Sequence, residues 1–157
     1  MPDIDSSSPF TNSAAVPGPP LIGALLRVPL ETVRTRMLER LHEHGFTDLD
    51  PAHLILLQYP GPQGARPSDL AARLRMSKQS VNYVLGELER RGYLERRPDP
   101  DDLRSKRIQL TDRGRALIPV IRGAVAEVEE EWSRLLGRRR FEQLRGLLVD
   151  LNRSIES

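Results

Sequence analysis

Residues 67–114, PSDLAARLRMSKQSVNYVLGELERRGYLERRPDPDDLRSKRIQLTDRG, decide the fold. Ser68 reads as the cap of a helix running to about Leu74, with Leu70 and Leu74 facing inward. Ser77 caps a second helix from Lys78 to about Arg91, which Gly92 stops. Few residues, Arg75 and Met76 among them, separate the two. Helix, tight turn, helix is the DNA-binding supersecondary unit. Tyr93 to Arg97 can form a strand, residues 98–102 a turn, and Lys106 to Leu110 the returning strand. A hairpin directly after a helix-turn-helix is a wing.

The flanks read as helices. Ile22, Leu26, Leu30, Val33, Met37 and Leu41 keep helical spacing across residues 21–44. Pro29 interrupts them, which predicts a kink or a late start. Pro51 to Tyr59 is a short apolar helix with Asp50 as its candidate cap. Residues 60–64 break the chain. Thr111 caps a long helix, in which Ile118, Ile121, Val125, Val128, Trp132 and Leu135 alternate in steps of 3 and 4. Pro119 is expected to bend it near its start. A last helix from about Arg138 carries Phe141, Leu144, Leu148, Leu151 and Ile155. Residues 1–20 are rich in Ser, Pro and Gly and read as a disordered tail. The class is mainly α, with one small β-hairpin.

Charge is unevenly spread along the 157 residues. Residues 64–115 carry 13 Lys+Arg against 8 Asp+Glu, and the remainder 11 against 14. A basic segment on a neutral scaffold suits a nucleic-acid surface, although solvated faces could give the same counts. With no cysteine, disulfides, thiolate metal sites and thiol switches are excluded. No Lys or Arg precedes Arg27, and Asp3 and Asp5 stand where a signal peptide needs positive charge. No apolar run approaches the roughly 20 residues that span a bilayer. A cytoplasmic protein that makes no membrane contact is expected. No enzyme is expected either. His42 and His44 do not share a helix face, and the glycine-rich break at 61–64 lacks the Gly-Lys-Ser/Thr ending of a phosphate loop. Glu127, Glu129, Glu130 and Glu131 read as a solvated face. No cofactor or metal is expected.

The run from Asp99 to Gly114, an acidic turn with Asp102-x-Arg104, a basic strand, then Leu110-Thr111-Asp112-Arg113-Gly114, resembles the signature of the MarR family of transcriptional regulators. Asp69-Leu70-Ala71-Ala72 and Leu88 to Leu94 also fit. The resemblance covers about residues 21–155. It implies a single domain over 21–157: helices of 21–50 and 115–157 form a homodimer base, and residues 51–114 form a winged helix-turn-helix lobe. The apolar seams at 21–44, 115–136 and 141–155 are what such a base needs; an ordinary intrachain core is the alternative.

On a helical wheel, Val81, Val84, Leu85 and Leu88 form the core stripe of the helix after Ser77. Gln79, Tyr83, Gly86 and Arg90 lie opposite, with Lys78 and Asn82 on one flank and Ser80 on the other. Gln79 and Asn82 can pair with adenine N6 and N7, and Lys78 with guanine or phosphate. Tyr83 offers a hydroxyl to phosphate or its ring to a thymine methyl. Ser77 and Ser80 place hydroxyls where a helix N-terminus favours a phosphate oxygen. Gly86 would let the DNA backbone come close. On the wing, Arg104 extends toward a minor groove, with Asp102 holding the guanidinium or the hairpin. Lys106, Arg107, Arg96 and Arg97 read as phosphate contacts. The resemblance further implies a small aromatic or anionic effector, bound where base meets lobe, for which Arg34, His42, His53 and Tyr59 are the candidates. The expected function is a ligand-responsive repressor that acts as a homodimer on a pseudo-palindromic duplex. A winged-helix protein-interaction module is the rival.

Overall fold

The computed structural model describes residues 19–57, 63–102 and 104–156. Most of the expected tail, together with Tyr59, lies outside these residues. Helix α1, Ile22–Glu43, starts ahead of Pro29 and runs through it. The expected late start does not occur, because Ala24 and Leu25 already donate to the Leu21 carbonyl at 2.9 and 3.1 Å. Pro29 therefore removes one rung from a turn already closed. Helix α2, Pro51–Leu57, is capped as expected: Asp50 Oδ1 accepts from the backbone of Ala52 and His53 at 2.9 and 3.3 Å.

Helix α3, Pro67–Leu74, corrects the reading of Ser68 as its cap. Arg66 occupies the cap position without a side-chain cap, and Pro67 opens the helix, where its missing N–H costs nothing. Arg75 then closes α3 in the left-handed region, at φ 52. Its N–H donates to Ala72 O, and that of Met76 to Ala71 O. This doubly bonded ending is the Schellman closure, which ordinarily selects glycine. Left-handed backbone costs a side-chain-bearing residue about 1–2 kcal/mol. Arg75→Gly is therefore expected to keep the fold and to change stability by no more than about 1 kcal/mol, since glycine's unfolded-state entropy offsets most of the relief. A thermal melt checks it; a loss of several degrees would contradict it.

Helix α4, Lys78–Arg90, is capped by Ser77, whose Oγ accepts from Ser80 N at 3.0 Å. A cap of this kind contributes about 1 kcal/mol. Val81, Val84, Leu85 and Leu88 are all buried, as the wheel requires. Gly92, at φ +77, ends it with a second Schellman closure through Tyr93 N and Leu88 O. Strands β1, Leu94–Pro98, and β2, Lys106–Leu110, pair antiparallel with Leu94 opposite Leu110 and Pro98 opposite Lys106. Ala65 adds a one-residue third strand against Ile108, bonded both ways at 3.0 and 2.8 Å. Gly64 lets this happen: at φ +73, its Cβ would lie 2.7 Å from the Ile108 carbonyl.

Helix α5, Asp112–Leu136, opens on a clasp built from the Leu-Thr-x-x-Gly motif. Thr111 N donates to Tyr93 O at 3.1 Å, and Thr111 Oγ1 donates to Gly92 O at 2.5 Å. The same oxygen accepts from Gly114 N at 3.1 Å. Gly114 is buried against the turn, and a Cβ there would stand 2.2 Å from the Tyr93 carbonyl. The two ends of the hairpin are thus fastened to the start of α5.

Helix α6, Arg138–Glu156, follows Gly137. The core lies in the lobe and where α1 and α5 enter it: Leu41, Leu54, Leu56, Leu85, Leu88, Tyr93, Ile108 and Leu117 are almost wholly buried. The flanking helices contrast with it. Of the α5 seam only Val128 is buried, while Leu135 is 80% exposed. On α6 only Phe141 is buried, and Leu144, Leu148, Leu151 and Ile155 face solvent with Ile22, Leu26 and Leu30 of α1. The inner parts of the α1 and α5 seams, Met37, Leu41, Ile121, Val125 and Val128, pack within the chain, whereas the start of α1, the end of α5 and most of α6 do not.

Ion pairs bind α1 to α5. Arg36 meets Glu131 at 2.9 Å, and Arg40 reaches Glu127 through Nε and Nη2 at 2.9 and 2.8 Å. Hydrogen bonds from Arg40 hold the Glu127 carboxyl below its ordinary range. Glu129 pairs with Arg145 of α6 at 2.9 Å. The glutamate run is therefore a set of interhelical ties as well as a wet face, since α5 presents it to two neighbouring helices.

Candidate nucleic-acid interface

Burying the Val81–Leu88 stripe forces the opposite side of α4 outward. Lys78, Gln79, Ser80, Asn82 and Tyr83 are all exposed. Tyr83 is 66% exposed, which is unusual for a large aromatic residue. Among the described residues, no side-chain hydrogen bond or ion pair engages Lys78, Gln79, Asn82 or Tyr83. Their donors and acceptors are open to an outside partner. Ser77 and Ser80 are joined through their hydroxyls at 2.8 Å, so the cap and its neighbour form one hydroxyl pair at the helix N-terminus. At Gly86 an added Cβ would meet nothing nearer than Arg90 Nη1 at 3.7 Å. Nothing within the molecule demands glycine there.

The wing divides its cations into two groups. Arg104 is exposed, its backbone N–H donates to Asp102 Oδ1 at 3.0 Å, and its guanidinium meets no carboxylate among the described residues. Asp102 thus shapes the hairpin tip. Its carbonyl also accepts from Ser105 N at 2.9 Å. Lys106 is exposed and unpaired among the described residues. The other basic side chains are occupied. Arg96 pairs with Glu89 at 3.0 Å and Arg97 with Glu95 at 2.7 Å. These exposed pairs are weak enough to yield to phosphate. Arg107 differs: its Nε lies 3.0 Å from Asp99 Oδ1 and its Nη2 2.9 Å from Asp101 Oδ2.

Asp99 is the residue that sequence reasoning passed over. Its side chain is fully buried. Arg66 Nε donates to Oδ2 at 2.5 Å, Ser105 Oγ to the same oxygen at 3.2 Å, and Asp101 N to Oδ1 at 3.0 Å. The Arg66 hydrogen bond holds the Asp99 carboxyl well below the usual carboxylate range, against the opposing push of burial. The available signal was an acidic cluster flanked by Pro98 and Pro100, which also reads as an ordinary turn.

Arg34, His42 and His53, the effector candidates among the described residues, each have a polar partner close by. Arg34 pairs along its own helix with Glu31 at 3.8 Å, and His42 Nε2 lies 3.3 Å from Leu49 O. His53 is fully buried, with Nδ1 accepting from Asp50 N at 3.1 Å and Nε2 3.4 Å from Glu87 Oε2. Tyr59 falls outside the described residues. A groove on α1 is lined by Arg27, Glu31, Thr35 and Glu39 among others, and none of the candidates borders it. Among the described residues no three His, Cys, Asp or Glu side chains cluster as metal ligands, and no helix is long and apolar enough to cross a membrane.

Comparison with known proteins adds independent weight. The MarR family model matches residues 47–105, the lobe from before α2 to the wing tip. The uncharacterized HTH-type transcriptional regulator YkoM of Bacillus subtilis is 43% identical over 72 residues, 46% of each chain. The transcriptional repressor MprA of Escherichia coli is 36% identical over 61 residues, 39% of this chain and 35% of its own. The matched stretches thus span less than half of these two relatives. Among solved structures, the transcriptional repressor CouR bound to a 23-mer DNA duplex is 28% identical, with 84% of this chain and 92% of that one covered at a TM-score of 0.63. With the wing signature, the winged helical fold and these matches in agreement, residues 47–105 are similar to the MarR family of transcriptional regulators, and the chain has the winged helix-turn-helix fold of that family's solved structures.

Proposed function

We propose that this protein regulates transcription by binding double-stranded DNA in a sequence-specific way, as a homodimeric repressor on a pseudo-palindromic site. The observation that carries the reading is the pairing of a polar ridge on α4 with an arginine at the wing tip, both without side-chain partners among the described residues. Short polar side chains from Lys78 to Tyr83 are suited to a major groove, and a free guanidinium to the adjoining minor groove. The CouR–duplex complex, a similar fold holding DNA, supports it. Selection of duplexes from a random pool tests it. Dyad-symmetric sequences with half-sites about 10 bp apart are expected. Recovery of no enriched sequence would contradict it.

The homodimer is supported by the apolar residues left in solvent on α1, α5 and α6. A surface of this extent ordinarily marks an interface. Leu148→Arg combined with Leu151→Arg is expected to yield monomers by sedimentation, since each buried leucine contributes about 1.5–3 kcal/mol. A dimer of unchanged affinity would refute this. An aromatic or anionic effector between base and lobe belongs to the same proposal. It rests on Arg34 and His42, because His53 is enclosed and hydrogen-bonded. Release of DNA by phenolic acids in a binding assay tests it.

A further inference from the structure

The wing and the recognition helix have to meet two grooves at once, so the distance between them matters more than the flexibility of either. That distance runs through few covalent steps. Ala65 is bonded to Ile108 of the wing, Arg66 follows it, and Pro67 begins α3, which packs on α4. At this junction sits a single buried carboxylate. Asp99 accepts from Arg66 on the helix-turn-helix side and from Ser105 on the wing, and it faces Arg107 of β2.

We infer that Asp99 is a positioning residue for DNA recognition: with Arg66 and Arg107 it locks the wing to the helix-turn-helix, so that Arg104 reaches its groove while α4 occupies its own. The inference rests on the DNA-binding reading above. Three features favour it. The carboxylate is fully buried, so its bonds are not diluted by solvent as those of surface pairs are. Its partners come from both sides of the junction. One partner, Ser105, is the immediate neighbour of Arg104. Asp99 also accepts from Asp101 N and donates its own N–H to Ser105 O at 3.1 Å, so one residue sets both the strand exit and the tip. Arg107 acts here as a brace and not as a phosphate contact.

The test is a double-mutant cycle on a duplex selected by the wild-type protein. Asp99→Asn keeps the shape and removes the charge. Alone it is expected to lower affinity roughly tenfold, the scale on which residues of one network couple. In an Arg104→Ala background it is expected to change affinity less than about twofold, because the arginine it positions is already gone. Hydroxyl-radical protection at the outer flanks should vanish while protection of the half-site centres remains. Arg66→Gln, whose side chain is partly exposed, repeats the cycle if Asp99→Asn folds poorly by circular dichroism. Additive losses, unchanged affinity, or a gain in affinity from the freed arginines would each overturn the inference. If wild-type protein bound no duplex, the DNA-binding reading itself would fail first, which separates the two outcomes.

Discussion

Gly114→Ala is expected to destabilise the protein by about 3 kcal/mol or more, an overpacking cost at the upper end for a single added methyl. The methyl would stand 2.2 Å from the Tyr93 carbonyl oxygen, a backbone atom held in place by Thr111 N. Relief requires α5 to lift from the hairpin. That motion breaks the Thr111 bonds to Gly92 O and Tyr93 O and exposes Leu117. For a chain of this length the loss corresponds to a fall of roughly 6–12 °C in Tm. Calorimetry measures it. A shift within 2 °C would show that the clasp yields more easily than its geometry implies. Gly123, whose Cβ would meet nothing within 4 Å, is the control: Gly123→Ala should hold or raise Tm.

Arg104→Ala is expected to weaken duplex binding about 10- to 100-fold, the scale of losing one groove-reading arginine from each lobe. The exposed guanidinium touches no carboxylate among the described residues, so its removal leaves nothing unpaired inside the protein. Tm and the oligomeric state should not move. Arg104→Lys should recover part of the affinity, since charge persists while the planar fork is lost. Gel-shift titration at fixed salt measures both. Equal affinities for wild type and Arg104→Ala would remove the wing from the DNA-binding surface.

What the sequence revealed was mostly local. Asp50, Ser77 and Thr111 were legible as caps because a side-chain oxygen beside a free backbone N–H is a neighbour-to-neighbour rule. The Val81–Leu88 stripe followed from helical spacing, and β2 from its place as the returning strand after the turn at 98–102. Ser68 misled because it also satisfies the cap rule, one turn position from Pro67, which starts the helix. Arg75 could not be foreseen as left-handed, since arginine carries no preference for that region and only the tight entry to α4 imposes it. The Ala65–Ile108 bridge joins residues 43 apart through one pair and leaves no periodic trace. Asp99 read as part of a turn and Arg107 as a phosphate contact. Asp99 is buried with Arg66 as its partner, which sequence places 33 residues away. The seams of α5 and α6 were legible as apolar, but their spacing does not say whether the partner helix belongs to the same chain.

Groove binding by α4 and Arg104 is tested most directly by measuring affinity for a selected duplex between 50 and 200 mM salt. Lys78, Arg104 and Lys106, which meet no carboxylate among the described residues, give six cations in the proposed dimer, so log K should fall against log salt with a slope of about −5, or more steeply where Arg96 and Arg97 also turn to phosphate. Substituting Gln79 and Asn82 together by alanine should reduce affinity for that duplex while leaving the slope unchanged. Binding that ignores salt, or no binding at 50 mM, would contradict a DNA-reading role for this surface.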